Sequence, residues 1–226
     1  MIEINGKKVY LLPVIRGLAG EGEKVKNLFY EINPDCIAIT IADEDLKLVG
    51  KKIEATSMPA EWQYYLIHLS RYGEITIPSQ DITVADEISK KENVPLIAVD
   101  MNDDEYMEKF VEYISLFSLI RYSRKIKRLA KKKFNAKNAE EFVVMWEKEL
   151  TAIKSFKRLE EEREDTIVKK ILDLCNKYEK LLVIVPFEKY ESISIKLERY
   201  KKHSALPNHE KESNNNGRRW QGFSQF

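Results

Sequence analysis

The chain of 226 residues carries 38 Lys and Arg against 37 Asp and Glu, and its formal net charge of +1 gives no global electrostatic argument for binding nucleic acid or a membrane. A hydrophobic content of 43% is enough for a sizeable core, and the length suits one large domain or one domain with a helical insertion. No run of about 18 apolar residues occurs, so the sequence predicts no membrane-spanning helix.

The N-terminus and the cysteines indicate a cytoplasmic protein. Met1–Val9 contains charged residues and no long apolar stretch, so no signal peptide is expected. Cys36 lies in an apolar strand-like run and Cys175 lies in a helical pattern. We expect both to be small buried side chains rather than a disulfide, which suits a reducing compartment.

Strand and helix patterns alternate along the first part of the chain. Asn5–Gly6, which precedes the first strand, is a type I′ hairpin signal. Between the strands, apolar residues at helical spacing and turns marked by proline predict helices. The predicted strands are Val9–Ile15, Cys36–Ile41, Pro95–Val99 and Leu181–Val185, and the predicted helices are Glu21–Glu31, Ala42–Gly50, Ala60–Tyr72 and Asp81–Lys91.

The second part of the chain is mostly helical. The helical patterns are Glu105–Lys133, Ala139–Lys148, Leu150–Glu164, Asp165–Tyr178 before the last strand, and Glu191–Tyr200 after it. The expected fold is α/β, with a mainly parallel sheet, flanking helices and a long helical insertion before the last helix–strand unit. It spans residues 1–200, with the insertion at about 105–160. Residues 201–226 contain few aliphatic side chains and are predicted to be a disordered tail.

Acidic residues follow the predicted strands, at the edge of the sheet where α/β proteins bind ligands. Asp43–Asp45 follows the second strand and Asp100–Asp104 the third, and no histidine or cysteine comes next to any strand end. If the two clusters converge, their oxygens would suit a divalent metal such as Mg²⁺, Mn²⁺ or Ca²⁺. The favoured alternative is that each cluster begins the next helix.

Two further features have an ordinary structural interpretation that we favour. The glycine-rich stretch Gly17–Lys24 follows a strand and opens a helix, as a phosphate-binding loop does, but Glu23 interrupts the Gly-Lys-Ser/Thr pattern. A strand–helix turn is therefore the favoured interpretation. His68 stands alone among apolar residues of a predicted helix, so we expect a core histidine rather than a metal ligand.

Residues 121–133 form a basic helical run with Ile126 and Leu129 as a narrow apolar stripe. Such a run could contact nucleic acid or an acidic membrane surface. The favoured alternative is a solvated helix whose charges are balanced by the neighbouring helix. The balancing residues would be Glu140, Glu141, Glu147 and Glu149.

Several motifs occur in an order that resembles the TraB/PrgY family, which is related to Tiki metalloproteases, erythromycin esterase-like proteins and ChaN. The motifs are Asn33-Pro-Asp-Cys-Ile-Ala-Ile-Thr, Pro78-Ser-Gln-Asp81, Pro95-Leu-Ile-Ala-Val-Asp100 and Glu162-Arg163-Glu164-Asp165. Proteins of that family have a proposed site with two Gly-x-x-His motifs, after the first and last strands. Here those positions hold Arg16–Glu21 and Phe187–Lys189, so both histidines are missing.

The resemblance implies a catalytically degenerate TraB-like domain that acts as a binding or scaffold module for an unidentified protein or peptide partner, and that could form a homodimer through its helical arms. The alternative is a metal-dependent hydrolase with carboxylate ligands at the strand ends. The candidate catalytic residues are Arg16, Asp81, Asp100, Arg163 and Glu188, and the candidate ligands of a divalent metal are Asp43, Asp81, Asp100 and Glu188.

Overall fold

The computed structural model describes residues 1–50 and 58–204. Within this part of the chain, five strands form one sheet in the order β1-β2-β5-β3-β4. β1 pairs antiparallel with β2, and all other neighbours pair in parallel. The strands are β1 (Ile2–Ile4), β2 (Lys7–Val14), β3 (Cys36–Ile39), β4 (Leu96–Ala98) and β5 (Lys180–Pro186). The predicted α/β class with a mainly parallel sheet is therefore confirmed.

The hairpin between β1 and β2 begins the sheet. Asn5 and Gly6 adopt φ angles of 50° and 81°, and Ile2 pairs with Val9 across the turn. Two consecutive positive φ angles define the type I′ turn, whose twist matches that of the flanking strands. The predicted hairpin is confirmed, and β2 gains an antiparallel neighbour on one side and β5 on the other.

Helices cover both faces of the sheet. On one face, α8 and α9 pack on Val9, Ala38 and Val183. On the other face, α1 and α4 pack on Ile37 and Ile184. Every residue of β3 is buried because it is covered on both faces. The helices of the described chain are α1 (Glu21–Ile32), α2 (Asp43–Leu46), α3 (Ala60–Leu69), α4 (Gln80–Glu92), α5 (Asp103–Tyr113), α6 (Leu116–Leu129), α7 (Ala139–Leu150), α8 (Lys154–Cys175) and α9 (Phe187–Ser204).

Four helix predictions need correction. The helix expected over Ala42–Gly50 is limited to the four residues of α2 and is followed by a turn. The expected continuous stretch Glu105–Lys133 is broken after Tyr113, because Ser115 accepts a hydrogen bond from the Ser118 amide and caps a new helix, α6. The two helices predicted over 150–178 are instead one 22-residue helix, α8, so Arg163 lies inside a helix and not at its start. The last helix begins at Phe187, directly after β5, where a strand-end loop was expected.

Above the carboxyl edge of the sheet, α3, α6 and α7 build a third, largely aromatic core. His68 is buried in it, with its Nε2 atom 2.9 Å from the carbonyl oxygen of Leu129 and its ring against Phe134. The prediction of a core histidine is confirmed. Cys36 and Cys175 are both free and buried, as expected, and burial raises the pKa of the two thiols to about 12 and about 11.

Among the described residues, no helix combines the length and the apolar character needed to cross a membrane. α9 ends at Ser204, and the remainder of the segment predicted as a tail lies outside the described residues.

Candidate functional site

The carboxyl edge of the sheet opens into a cavity of about 420 Å³, called the main cavity below. Arg16, which follows β2, and the first turn of α9 form its floor. Its walls come from five helices, α3 and α5 to α8. The lining residues that carry charge are Arg16, Glu61, Glu147, Glu160, Arg163, Glu188 and Lys189, and the aromatic ones are Trp62, Tyr65, Tyr106, Phe110, Tyr122, Trp146 and Phe156.

The aromatic walls are held by ring stacking. Tyr122 on α6 stacks on Phe156 of α8, with 4.0 Å between the ring centroids and 8° between the planes. Trp62 stacks on Tyr65 one turn along α3, at 4.7 Å and 11°. The first contact joins two helices that are far apart in the sequence, and the second orders the rings along α3, so the cavity is bounded by flat aromatic surfaces.

Arg163 connects the sheet edge to α8. Its Nη2 and Nε atoms donate to the two carboxylate oxygens of Asp100, at 2.6 and 3.3 Å, and its Nη1 atom donates to Glu160 at 3.0 Å. Burial alone would raise the pKa of Glu160, but the cations Arg163 and Lys189 outweigh it and lower that pKa below its usual range. The predicted residues Asp100 and Arg163 therefore form a bidentate ion pair.

Lys189 extends this network across the floor. Its ammonium lies 2.5 Å from Glu147 of α7 and 2.8 Å from Glu160 of α8. Burial would lower the pKa of Lys189, but Glu160 and Glu147 more than compensate and raise it. The two cations Arg163 and Lys189 are thus neutralised by carboxylates of the protein itself.

Glu188 differs from its neighbour Lys189. Within the described chain its carboxyl group makes no ion pair, and the only hydrogen bond to it comes from its own backbone amide. Burial raises the pKa of Glu188 from 4.5 to about 7, more than Lys189 and Arg16 lower it. A carboxyl group that is poised between its two protonation states can bind a cation or exchange a proton at neutral pH.

Glu61 is a second acidic group without a cationic partner at hydrogen-bonding distance in the described residues. It accepts a hydrogen bond from the phenol of Tyr122. Burial raises the pKa of Glu61, and the hydrogen bond from Tyr122 offsets only part of that rise. The main cavity therefore presents two carboxyl groups, Glu61 and Glu188, that lack a counter-charge.

Arg16 is fixed from the side of the sheet. Its Nη2 atom donates to the hydroxyl of Thr40 at 2.9 Å, and its Nε atom lies 3.6 Å from the carboxylate of Asp81. Asp81 is completely buried and accepts a hydrogen bond from the hydroxyl of Ser79. Arg16 also lines two smaller cavities, of about 290 and 240 Å³. Arg16 therefore borders all three cavities at the carboxyl edge of the sheet.

The two predicted acidic clusters do meet, at the smallest of these cavities. Asp45, Asp100 and Asp103 line it together with Arg16 and Arg163. Burial, followed by the charge of Asp103, raises the pKa of Asp45. The helix-start interpretation is also right, because the clusters supply the acidic first turns of α2 and α5.

The predicted metal site is not formed in the described part of the chain, where no group of three or more His, Cys, Asp or Glu side chains could hold a metal. Asp100 is taken by Arg163, and Asp81 lies between Ser79 and Arg16. Glu188 belongs to the main cavity, whereas Asp43 lines none of the three cavities. Of the four candidate ligands, Asp81 and Asp100 are thus engaged by arginine side chains.

The glycine-rich turn after β2 is held against the start of α4. The amide of Gly17 donates to Ser79, and the amide of Gly20 donates to Gln80, both at the start of α4. A Cβ atom on Gly22 would lie 2.6 Å from Val84, so this turn packs tightly on α4. The favoured strand–helix turn is confirmed.

Sequence reasoning missed Glu61, Glu160 and Tyr122. They lie on α3, α8 and α6 and carry no local motif, because only packing of these helices brings them to one cavity. Lys189 and Glu188 lie next to each other after β5, which the sequence did mark as a place for site residues.

Comparison of the chain with protein-family models and with curated proteins finds no match.

Proposed function

We propose that this chain is a catalytically degenerate TraB-like domain that acts as a binding module, and that the main cavity is its ligand site. The retained residues Asp100 and Arg163 support the proposal, because they meet in a bidentate ion pair at the sheet edge. In that arrangement they stabilise the walls of the cavity and present no free nucleophile or base.

The ligand class that fits the main cavity is a small organic cation with a flat apolar body. The carrying observation is that Glu188 faces this aromatic cavity with no cationic partner among the described residues. An ammonium group would supply the missing counter-charge, and aromatic faces such as that of Trp62 attract cations. Arg16 lowers the pKa of Glu188 less than burial raises it, and its guanidinium already contacts Asp81 and Thr40.

The same chemistry is offered by a free amine or by a lysine side chain of a peptide. A peptide partner, as the sequence predicts, would enter the cavity with its ammonium group. The homodimer through the helical arms stays a prediction.

The metal-dependent hydrolase is the weaker candidate. Its ligands would have to include Asp100 and Asp81, and both are already engaged by arginine side chains. Releasing either one for a metal would leave a partly buried guanidinium without its partner. The described residues do not fit a metal centre.

The test is a calorimetric titration with three probes of similar shape and different charge: tyramine, neutral para-ethylphenol and anionic para-hydroxyphenylacetate. We expect tyramine to bind most tightly, and its affinity to rise as the pH increases through about 7, where Glu188 ionises. Nα-acetyl-lysine amide serves as a peptide-like probe alongside tyramine.

Matched variants make the test specific. Glu188→Gln removes the charge and keeps the shape, so it should weaken the preference for tyramine over para-ethylphenol, with Glu61 left as the carboxyl group without a counter-charge. Glu191→Gln, on the exposed side of the same helix, should leave it unchanged. Tighter binding of the anionic probe, or an unchanged preference in Glu188→Gln, would refute the cation proposal.

A further inference from the structure

The outward face of α6 exposes large apolar side chains at its N-terminal end. Leu116, Phe117 and Ile120, here called the apolar tip, are 72%, 86% and 43% exposed. The opposite face of the helix is anchored in the protein, with Ile126 and Leu129 buried. α6 is therefore held firmly in place, while its apolar tip points away from the described structure.

A row of cations continues along the same outward face. The exposed residues Arg121, Arg124, Lys127 and Arg128 on α6, and Lys131 just beyond it, form what we call the basic face. They recur at intervals of three and four residues after Phe117 and Ile120, so they lie on the same side of the helix.

The charge balance that the sequence analysis favours is formed for Lys125 and Lys132, which pair with Glu149, but in the described protein it is not formed for the basic face. None of its five members forms an ion pair there, because the inward-pointing residues Lys125 and Lys132 take Glu149 instead. Glu147 pairs with Lys189 on the cavity floor. Glu112, the acidic residue closest in sequence to the apolar tip, pairs with Lys109.

We infer that the outward face of α6 is a docking surface for a membrane rich in anionic lipid, independent of the ligand proposed for the main cavity. The apolar tip would enter the region between headgroups and acyl chains, and the basic face would contact the headgroups. A helix of 14 residues is about 21 Å long, enough to place both parts on one surface. Each Lys or Arg near an anionic surface adds attraction, and each buried apolar side chain adds more.

Two other partners fit the charges and apolar groups less well. Nucleic acid would satisfy the basic face through its phosphates, but it would leave Leu116 and Ile120 in water. A second copy of the chain would cover the apolar tip, but it would not supply an anionic partner for the cations of the basic face. An anionic membrane surface satisfies both halves at once, because its headgroups carry negative charge and its acyl chains are apolar.

Vesicle flotation with the full chain tests the inference. Binding is expected to vesicles of phosphatidylcholine that contain about a third phosphatidylserine, and to be much weaker with phosphatidylcholine alone. Phe117→Ser and the double variant Arg124→Ser/Lys127→Ser should each reduce binding to the anionic vesicles about tenfold. Both changes affect exposed side chains, so the fold should be retained, which circular dichroism checks.

The controls are exposed residues elsewhere. Ile67→Ser on α3 is matched to Phe117→Ser, and Lys169→Ser/Lys177→Ser is matched to the double variant, and both controls should bind like the parent chain. Insertion is checked with Phe117→Trp, whose fluorescence brominated lipid should quench more strongly than that of the parent chain. Equal binding to both vesicle types, control variants that lose as much binding as the α6 variants, or no extra quenching would overturn the inference.

Two further outcomes would reassign the surface. Binding to a single-stranded oligonucleotide, lost in Arg124→Ser/Lys127→Ser but unchanged in Phe117→Ser, would overturn the membrane inference if the vesicles are not bound. A dimer in light scattering that Phe117→Ser converts to a monomer, again without vesicle binding, would overturn it in favour of self-association.

Discussion

Asp100 and Glu160 share the guanidinium of Arg163 at the edge of the main cavity, whereas Glu188 faces the same cavity with no cation to pair with in the described chain. The first arrangement joins the sheet edge to α8 and stabilises the fold. The second destabilises it at neutral pH, since the charged carboxylate is partly buried and has no ion-pair partner in the described chain. A polar group that costs stability and faces a cavity is the usual mark of a binding or reacting group. The ion pairs of Arg163 therefore hold the site together, whereas Glu188 is the group that is available to a ligand.

Removing Arg163 should have the largest effect, because it leaves the buried Asp100 and the nearby Glu160 with too little positive charge. We expect Arg163→Met to lower the free energy of unfolding near neutral pH by about 3 kcal/mol. The pKa of Glu160 is lowered in the folded state, so its share of this stability is present above the usual carboxyl pKa and disappears as the pH falls through the lowered value. Urea unfolding followed by circular dichroism measures both effects.

Arg158→Met is the matched control, since Arg158 lies on the same helix with its side chain exposed against Tyr113. It should cost less than about 1 kcal/mol. In Arg163→Met/Asp100→Asn the loss should be smaller than in Arg163→Met alone, because the uncompensated charge is gone. Equal losses in Arg158→Met and Arg163→Met would contradict the role given to the ion pair.

Lys189→Met should have the next largest effect, a loss of about 2 kcal/mol in unfolding free energy. The loss is smaller than for Arg163 because Glu160 keeps Arg163 as a partner, and Glu147 alone becomes unpaired. Lys169→Met, at an exposed position of α8, is the control and should leave the unfolding midpoint nearly unchanged. A change of less than about 0.5 kcal/mol in Lys189→Met would show that the floor network contributes little.

Glu188→Gln should act in the opposite direction and stabilise the protein above neutral pH. A carboxyl group whose folded pKa is raised to about 7 favours the folded state less and less as the pH rises from 4.5 to that value. We therefore expect a gain of about 2 kcal/mol near pH 8 and almost none near pH 4, measured by urea unfolding at the two pH values. No gain near pH 8 would mean that Glu188 is as well compensated as Glu160.

The framework of this site could be predicted from the sequence, because it depends on local signals. Apolar runs bounded by Asn-Gly, Pro and Asp determine where the strands end, and strand ends in a parallel sheet share one edge. Strand ends identify Arg16 and Asp100 in that way, and motif order identifies Arg163 and Asp81. The structure brings them together as two ion pairs, Arg16 with Asp81 and Arg163 with Asp100.

The cavity itself could not be predicted, because it depends on how separate helices pack. Glu61 on α3 meets Tyr122 on α6 across 61 positions of the chain, and no sequence period encodes such a contact. The bounds of α8 could not be predicted from the local sequence either. The sequence of Glu162–Asp165 resembles the start of a helix. Because no helix-breaking residue lies there, α8 continues through this segment as a single helix. Only the tertiary structure shows that Arg163 points from mid-helix to the sheet edge.

Glu61→Gln should have the smallest effect on the free energy of unfolding. It compares Glu61 with Glu188, the other carboxyl group of the main cavity without a cationic partner. The amide oxygen can still accept the hydrogen bond from Tyr122, so the substitution removes only the charge. Because burial raises the pKa of Glu61 and Tyr122 offsets part of the rise, we expect a gain of less than about 1 kcal/mol above neutral pH, smaller than that of Glu188→Gln. Tyr122→Phe is the complementary variant and should raise the pKa of Glu61 further, with a loss of stability at high pH.

In the double variant Glu61→Gln/Glu188→Gln the two gains should add, since neither carboxylate is among the charges that most affect the other. A gain well above the sum, measured by urea unfolding near pH 8, would instead show that the two carboxylates interact directly across the cavity, and a single ligand cation could then contact both.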